Sequence, residues 1–195
     1  MNEIQKPAQT SVEISDLVAN RWSPRVYDPS HTITENEILR LAEAARWAPS
    51  GNNNQPWRFV FIARENQLFS SISNEALTGF NQSWAPKASL YVVAIANKHK
   101  PDGSEYKQHD SYFNNALATT QIVFEAEVMG LKAHYMGGIS HDKVAELLGV
   151  QDGWISCILT VGKQGDVAKV SEELKEREQA ARVRKDFAEI AEIML

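Results

Sequence analysis

Residues 90–96, Leu-Tyr-Val-Val-Ala-Ile-Ala, form the longest strongly apolar run of the chain. The run is far too short to span a bilayer, which takes about 20 residues of helix. Read as a strand it is apolar on both faces, so it belongs at the centre of its sheet. A chain of 195 residues is long enough to bury such a strand in one domain, and residues 1–195 are read as a single domain with a loose lead-in over 1–12.

Other elements follow from local chemistry. A short helix is expected over 13–20 and an extended segment over 21–30, which carries two prolines. Thr34-Glu-Asn-Glu37 is a capping-box pattern, followed by Ile38, Leu41, Ala42 and Ala45 at helical spacing. That helix has to stop before Pro49. Residues 50–56 read as a loop, 57–63 as a strand, and 67–80 as a helix. A long helix over 110–129 ends at Gly130. It is apolar or small nearly all round (Phe113, Ala116, Leu117, Val123, Phe124, Val128), so it is expected to run through the core. A short helix capped by Ser140 ends at Gly149, a strand covers 154–162, and the chain is helix-rich from 171. The order is α+β with one sheet, too irregular for a parallel nucleotide-binding sheet.

Composition narrows the function. A net charge of −5 speaks against a nucleic-acid binder, which needs a basic face, but leaves room for a small basic pocket. Cys157 stands alone, in a strand-like context where a cysteine acts as a small hydrophobe. The N-terminus has no apolar signal core, so a soluble, cytoplasmic protein with no membrane partner is expected.

Four groups of residues stand out. In an extended segment Arg21, Ser23 and Arg25 share one side, where two guanidinium groups and a hydroxyl suit a phosphate. Two neighbouring arginines are, however, more often solvated surface. Residues 48–57, Ala-Pro-Ser-Gly-Asn-Asn-Asn-Gln-Pro-Trp, are dense in amides that could read the polar edge of a planar heterocycle, or simply form an Asn-rich turn. Gly137-Gly138 lets backbone approach a ligand ring closely, or makes a tight turn. Arg182-Val-Arg-Lys185 could close a phosphate pocket from the far end of the chain, or be a charged helix face.

Taken in order, these groups resemble the nitroreductase family of flavoproteins. The most specific match is the helix running into Ala-Pro-Ser-x-x-Asn-x-Gln-Pro-Trp before a strand; residues 79–88 and the Gly-Gly turn also fit. The resemblance implies a mixed sheet flanked by helices in an interlocked homodimer, with two FMN sites at the subunit interface. Arg21, Ser23 and Arg25, joined by Arg182 and Arg184, would hold the phosphate and ribityl end. Pro49, Ser50, Gly51 and Asn53 would approach from the partner subunit, with Gln55 and the Gly137-Gly138 backbone near the ring. Asn74, Asn81 and Gln82 are candidates for contact with the flavin pyrimidine. The implied activity passes hydride from NADH or NADPH through FMN to a small aromatic acceptor such as a nitroaromatic or quinone, by a ping-pong cycle. That chemistry is the cofactor's, so no catalytic side chain is assigned. Reductive dehalogenation, dehydrogenation, or FMN storage without turnover are the alternatives.

Other classes lack their signatures. The five histidines show no metal-ligand spacing, and there is no Gly-x-Ser-x-Gly elbow and no glycine-rich phosphate loop. No metal site is expected.

Overall fold

The computed structural model describes residues 4–195. Its sheet has four strands in the order β1-β2-β4-β3: β1 (Trp57–Ala63), β2 (Leu90–Asn97), β3 (Lys132–Met136) and β4 (Gly153–Gly162). The helices are α1 (Asp16–Asn20), α2 (Glu35–Arg46), α3 (Gln67–Glu75), α4 (Asn81–Trp84), α5 (Gln108–Val128), α6 (His141–Leu148), α7 (Glu172–Gln179) and α8 (Phe187–Ile190).

The apolar run is central as expected, with β2 between β1 and β4. Its side chains alternate between two cores. Tyr91, Val93 and Ile95 pack with residues of α3 and α6, while Leu90 and Val92 pack with α2 and α5. The expected α+β architecture with one sheet is present. Within it all three pairings are antiparallel, so the sheet of one chain is antiparallel and not mixed among the described residues.

Local chemistry sets most element ends. The Thr34 hydroxyl accepts from the Glu37 N–H at 3.3 Å and the Glu37 carboxylate accepts from the Thr34 N–H at 2.7 Å, so the capping box forms. Gly149 closes α6 in the left-handed region (φ 63°).

Three expectations fail for tertiary reasons. The helix expected over 67–80 stops at Glu75 because Leu77 bridges Ile139 and the Thr78 N–H donates to the Gly138 carbonyl. Strand β3 was missed, since Lys132, His134 and Tyr135 make a short, polar edge strand. Helix α5 does not bury an apolar surface all round. Its buried face includes Ser111, Asn114, Asn115 and Thr119, while Phe113 and Val128 are exposed by 65% and 63%.

Those buried polar groups serve the sheet. A bulge in the β2–β4 register leaves Ser156 out of the pairing, and its hydroxyl donates to the Asn115 side-chain oxygen at 2.7 Å. Asn115 in turn donates to the Ile95 carbonyl at 3.1 Å. The lead-in is also tied down where it is described: the Ala8 N–H donates to the Ala19 carbonyl at 2.8 Å. Residues 1–3 of the expected lead-in lie outside the described residues.

Candidate functional site

The segment after α1 is extended, and its burial alternates. Trp22, Pro24 and Val26 are buried, while Arg21, Ser23 and Arg25 are half-buried on the other side. The three line one cavity of about 340 Å³ together with Lys6, Arg177, Arg182 and Arg184. Sequence reading thus found five of these seven residues. Lys6 and Arg177 carried no signal, because nothing near either one marks it as facing the Arg21 segment.

This cavity concentrates positive charge in an acidic protein. Among the described residues, Arg177 pairs with Glu173 at 3.1 Å, while Arg21, Arg25, Arg182, Arg184 and Lys6 make no ion pair. Burial, and then the neighbouring charges of Arg21 and Arg184, lower the Arg182 pKa. Cations that converge without carboxylate partners suit an anion. A phosphate fits that donor set.

Two side chains fix the cavity wall. Glu178, on α7, is fully buried, and its carboxylate accepts from the backbone N–H groups of Arg25 at 2.9 Å and Val26 at 3.2 Å. Burial raises its pKa against those hydrogen bonds and the charges of Lys6 and Arg25. His134, on β3, meets the carbonyls of Ser23 and Pro24, each at 3.0 Å from Nδ1. Two acceptors require Nδ1 to carry the proton. Burial, followed by the charge of Arg25, lowers its pKa to about 4, so the ring is neutral near pH 7.

Strand β3 leads from this wall to Gly137 and Gly138, both exposed. The Asn81 amide donates to the Gly138 carbonyl at 3.0 Å, and a Cβ on Gly138 would lie 2.9 Å from that nitrogen. A side chain there would push the Asn81 amide aside. Nothing lies within 4 Å of a Cβ at Gly137, so that backbone is open to a ligand. Of the three further candidates, Asn81 flanks this turn, Gln82 donates to the Leu77 carbonyl at 2.9 Å, and Asn74 is exposed on α3.

The Asn-rich loop is the other part. Pro49, Gly51, Asn53 and Gln55 are exposed and Ser50 is half-buried. Three residues that are not glycine hold positive φ: Asn52 at 52°, Asn53 at 55° and Gln55 at 48°. Asparagine tolerates that region, glutamine less so, and such strain clusters at functional sites. The loop is braced by the Gln55 N–H donating to the Ser50 hydroxyl at 3.0 Å and the Gly51 N–H donating to the Asn114 side chain at 2.9 Å. Its Asn52 and Asn54 face Lys100, Pro101 and Asp102 across a separate cavity of about 280 Å³. The chain therefore brings Arg21, Ser23, Arg25, Arg182 and Arg184 together but does not bring residues 49–55 to them.

Burial pushes the Cys157 thiol up to about 11, which leaves it inert as a nucleophile near neutrality. No group of three or more His, Cys, Asp or Glu side chains is placed to hold a metal among the described residues. No helix among them is long and apolar enough to cross a membrane.

Comparison with known proteins places this geometry. The chain is 28% identical to the oxygen-insensitive NADPH nitroreductase of Helicobacter acinonychis, over 88% of this chain and 93% of that protein. It is 33% identical to the major NAD(P)H-flavin oxidoreductase of Aliivibrio fischeri, over 57% of this chain and 50% of that protein. A solved oxidoreductase containing FMN superposes with a TM-score of 0.86 at 30% identity, covering 98% of this chain and 96% of that one. A nitroreductase family protein from Streptococcus pneumoniae TIGR4 shares the fold at a TM-score of 0.73 and 16% identity, over 92% of this chain and 98% of that one. The profile of the nitroreductase family matches residues 18–163, which take in the Arg21 segment, the Asn-rich loop, the whole sheet and the Gly-Gly turn, and the chain belongs to that family.

Proposed function

We propose that the protein is a homodimeric, FMN-dependent oxidoreductase that passes reducing equivalents from NADH or NADPH to nitroaromatic, quinone or similar acceptors, the two substrates using one site in turn. The observation that carries this reading is the basic cavity, where four arginines and a lysine without ion-pair partners among the described residues converge from both ends of the chain. The relatives' activities agree with it: an NADPH nitroreductase, an NAD(P)H-flavin oxidoreductase and an FMN-containing oxidoreductase.

Bound FMN would supply the redox chemistry between the nicotinamide and the acceptor. The chain's own work is binding and positioning. Arg21, Arg25, Arg182 and Arg184 hold the phosphate, with the Ser23 hydroxyl as a neutral donor. The Gly137-Gly138 backbone and Asn81 border the ring. Gln55 lies near the ring, and Pro49, Ser50, Gly51 and Asn53 come from the second subunit.

The surface of α5 supports that last assignment. Phe113, Ala116, Thr120 and Val128 are exposed along one stripe, flanked by half-buried Leu117 and Phe124. Leu39 and Trp47 on and after α2 are exposed by 59% and 74%, and Val183, Phe187, Ile190 and Met194 extend apolar exposure along the tail. Exposed apolar residues in this number suit a protein interface. The loop lies at its edge, because Gly51 is bonded to Asn114, the neighbour of Phe113. The basic cavity borders it too. Helix α1, which leads directly into Arg21, packs against α5. A second copy on this face puts its loop beside the first copy's cavity.

The test is anaerobic addition of NADH or NADPH to the purified protein. A flavin band near about 450 nm that bleaches with at least one nicotinamide, and returns with a quinone or nitroaromatic, is expected. Protein that takes up no FMN overturns the flavoprotein reading. Bound FMN that neither nicotinamide bleaches overturns the reductase and leaves a storage protein.

A further inference from the structure

We propose that Lys6 is a further phosphate-binding cation of the basic cavity, delivered by an N-terminal strap, residues 4–8, that the cofactor's phosphate and the C-terminal arginines hold down together. This rests on the FMN reading above. It extends that reading to residues outside the span 18–163 that the family profile matches.

The strap is fastened along its length. The Gln164 amide donates to the Ile4 carbonyl at 3.4 Å, and the Ala8 N–H donates to the Ala19 carbonyl at 2.8 Å. Arg182 cross-links the two, donating to the Lys6 carbonyl at 2.6 Å and to the Ala19 carbonyl at 2.7 Å. One guanidinium thus lines the cavity and holds the strap against α1. The Lys6 ammonium also lies over the Trp22 ring, its Nζ 4.5 Å from the ring centroid.

The Lys6 ammonium is poised and not consumed by these contacts. It donates once, to the Glu178 backbone carbonyl at 2.9 Å, and an ammonium has three N–H groups to give. The Glu178 carboxylate makes no ion pair with it among the described residues and accepts instead from the backbone N–H groups of Arg25 and Val26. Lys6 lines the cavity with four arginines that make no ion pair among the described residues. Burial first, relieved by Glu178 and then opposed by Arg182 and Arg25, leaves its pKa below the usual lysine value. A bound dianion reverses that balance and adds a fastener to the strap.

A purely structural lysine would serve the strap whatever occupies the cavity. Lys6→Met separates the two roles, because it keeps an unbranched side chain of similar length beside Trp22 and removes the charge. Titrating FMN and riboflavin into flavin-free protein is expected to show FMN weakened about tenfold by Lys6→Met, as befits one charge-assisted contact. Riboflavin, without a phosphate, changes by less than about twofold, and Lys6→Arg restores most of the FMN affinity. Hydrogen exchange at the Ala8 amide is expected to slow when FMN binds wild type, but not with riboflavin and not in Lys6→Met. Equal losses for both flavins, or no loss for FMN, overturn the proposal. Wild type that binds riboflavin as tightly as FMN overturns the phosphate reading of the whole cavity. Wild type that discriminates while Lys6→Met does so equally well overturns the role of Lys6 alone.

Discussion

Arg21 and Arg182 come from opposite ends of the chain yet line one cavity, whereas Ser50 to Gln55 are neighbours in sequence and line none of it. The cavity is completed by long-range contacts inside one subunit: Glu178 to the Arg25 and Val26 amides, His134 to the Ser23 and Pro24 carbonyls, Arg182 to Lys6 and Ala19. The loop holds its shape through Ser50 and three residues at positive φ, with one long-range brace to Asn114 of α5, and is left exposed. A site that grips a dianion can be finished within one fold, since charge and backbone donors suffice. Enclosing a flat ring takes surface on both sides, which is where the proposed second subunit would contribute.

The largest expected effect breaks the comparison by removing the second chain. Phe113→Asp puts a carboxylate into the exposed apolar face, and an interface anchor of this kind is worth about 2–4 kcal/mol. Sedimentation at low micromolar concentration should show monomer, with FMN affinity down about a hundredfold or more. A monomer that still holds FMN stoichiometrically would mean that the loop from a second subunit is not needed.

A smaller effect sharpens the cavity side. Arg21→Ala is expected to weaken FMN by about 1.5–3 kcal/mol, one to two powers of ten, and riboflavin hardly at all. Binding measured for both flavins checks this. Parallel losses would assign Arg21 to the fold, and its 3.4 Å contact to the Ser23 hydroxyl would then be its main role.

The smallest effect on affinity is expected at the loop. Asn53 sits at φ 55°, so Asn53→Gly removes the amide without the strain of about 1 kcal/mol that alanine would add in the left-handed region. FMN affinity should move by less than about threefold, while the visible spectrum of the bound flavin or the turnover rate changes. An Asn53→Gly protein that folds normally but purifies without flavin would show that the loop grips the cofactor and does not merely border its ring.

The sequence determined what short-range physics can specify. Alternation of Arg21, Ser23 and Arg25 against buried Trp22, Pro24 and Val26 follows from the two-residue period of extended chain. The Thr34 capping box and the central place of β2 follow from hydrogen bonding over three residues and from an uninterrupted apolar run. Residues 49–55 and Gly137-Gly138 were legible as motifs, though their composition alone fits ordinary turns. Tertiary structure decided the rest. Leu77 left the helical pattern because pairing with Ile139 buried it, and Lys132–Met136 became a strand because β4 offered an open edge. Helix α5 turned Asn115 inward, because the β-bulge needs a polar partner, and left Phe113 exposed. Lys6 and Glu178 were invisible for the same reason. Their roles come from charges and amides more than 150 residues away in the chain, and no local pattern encodes a distance of that kind.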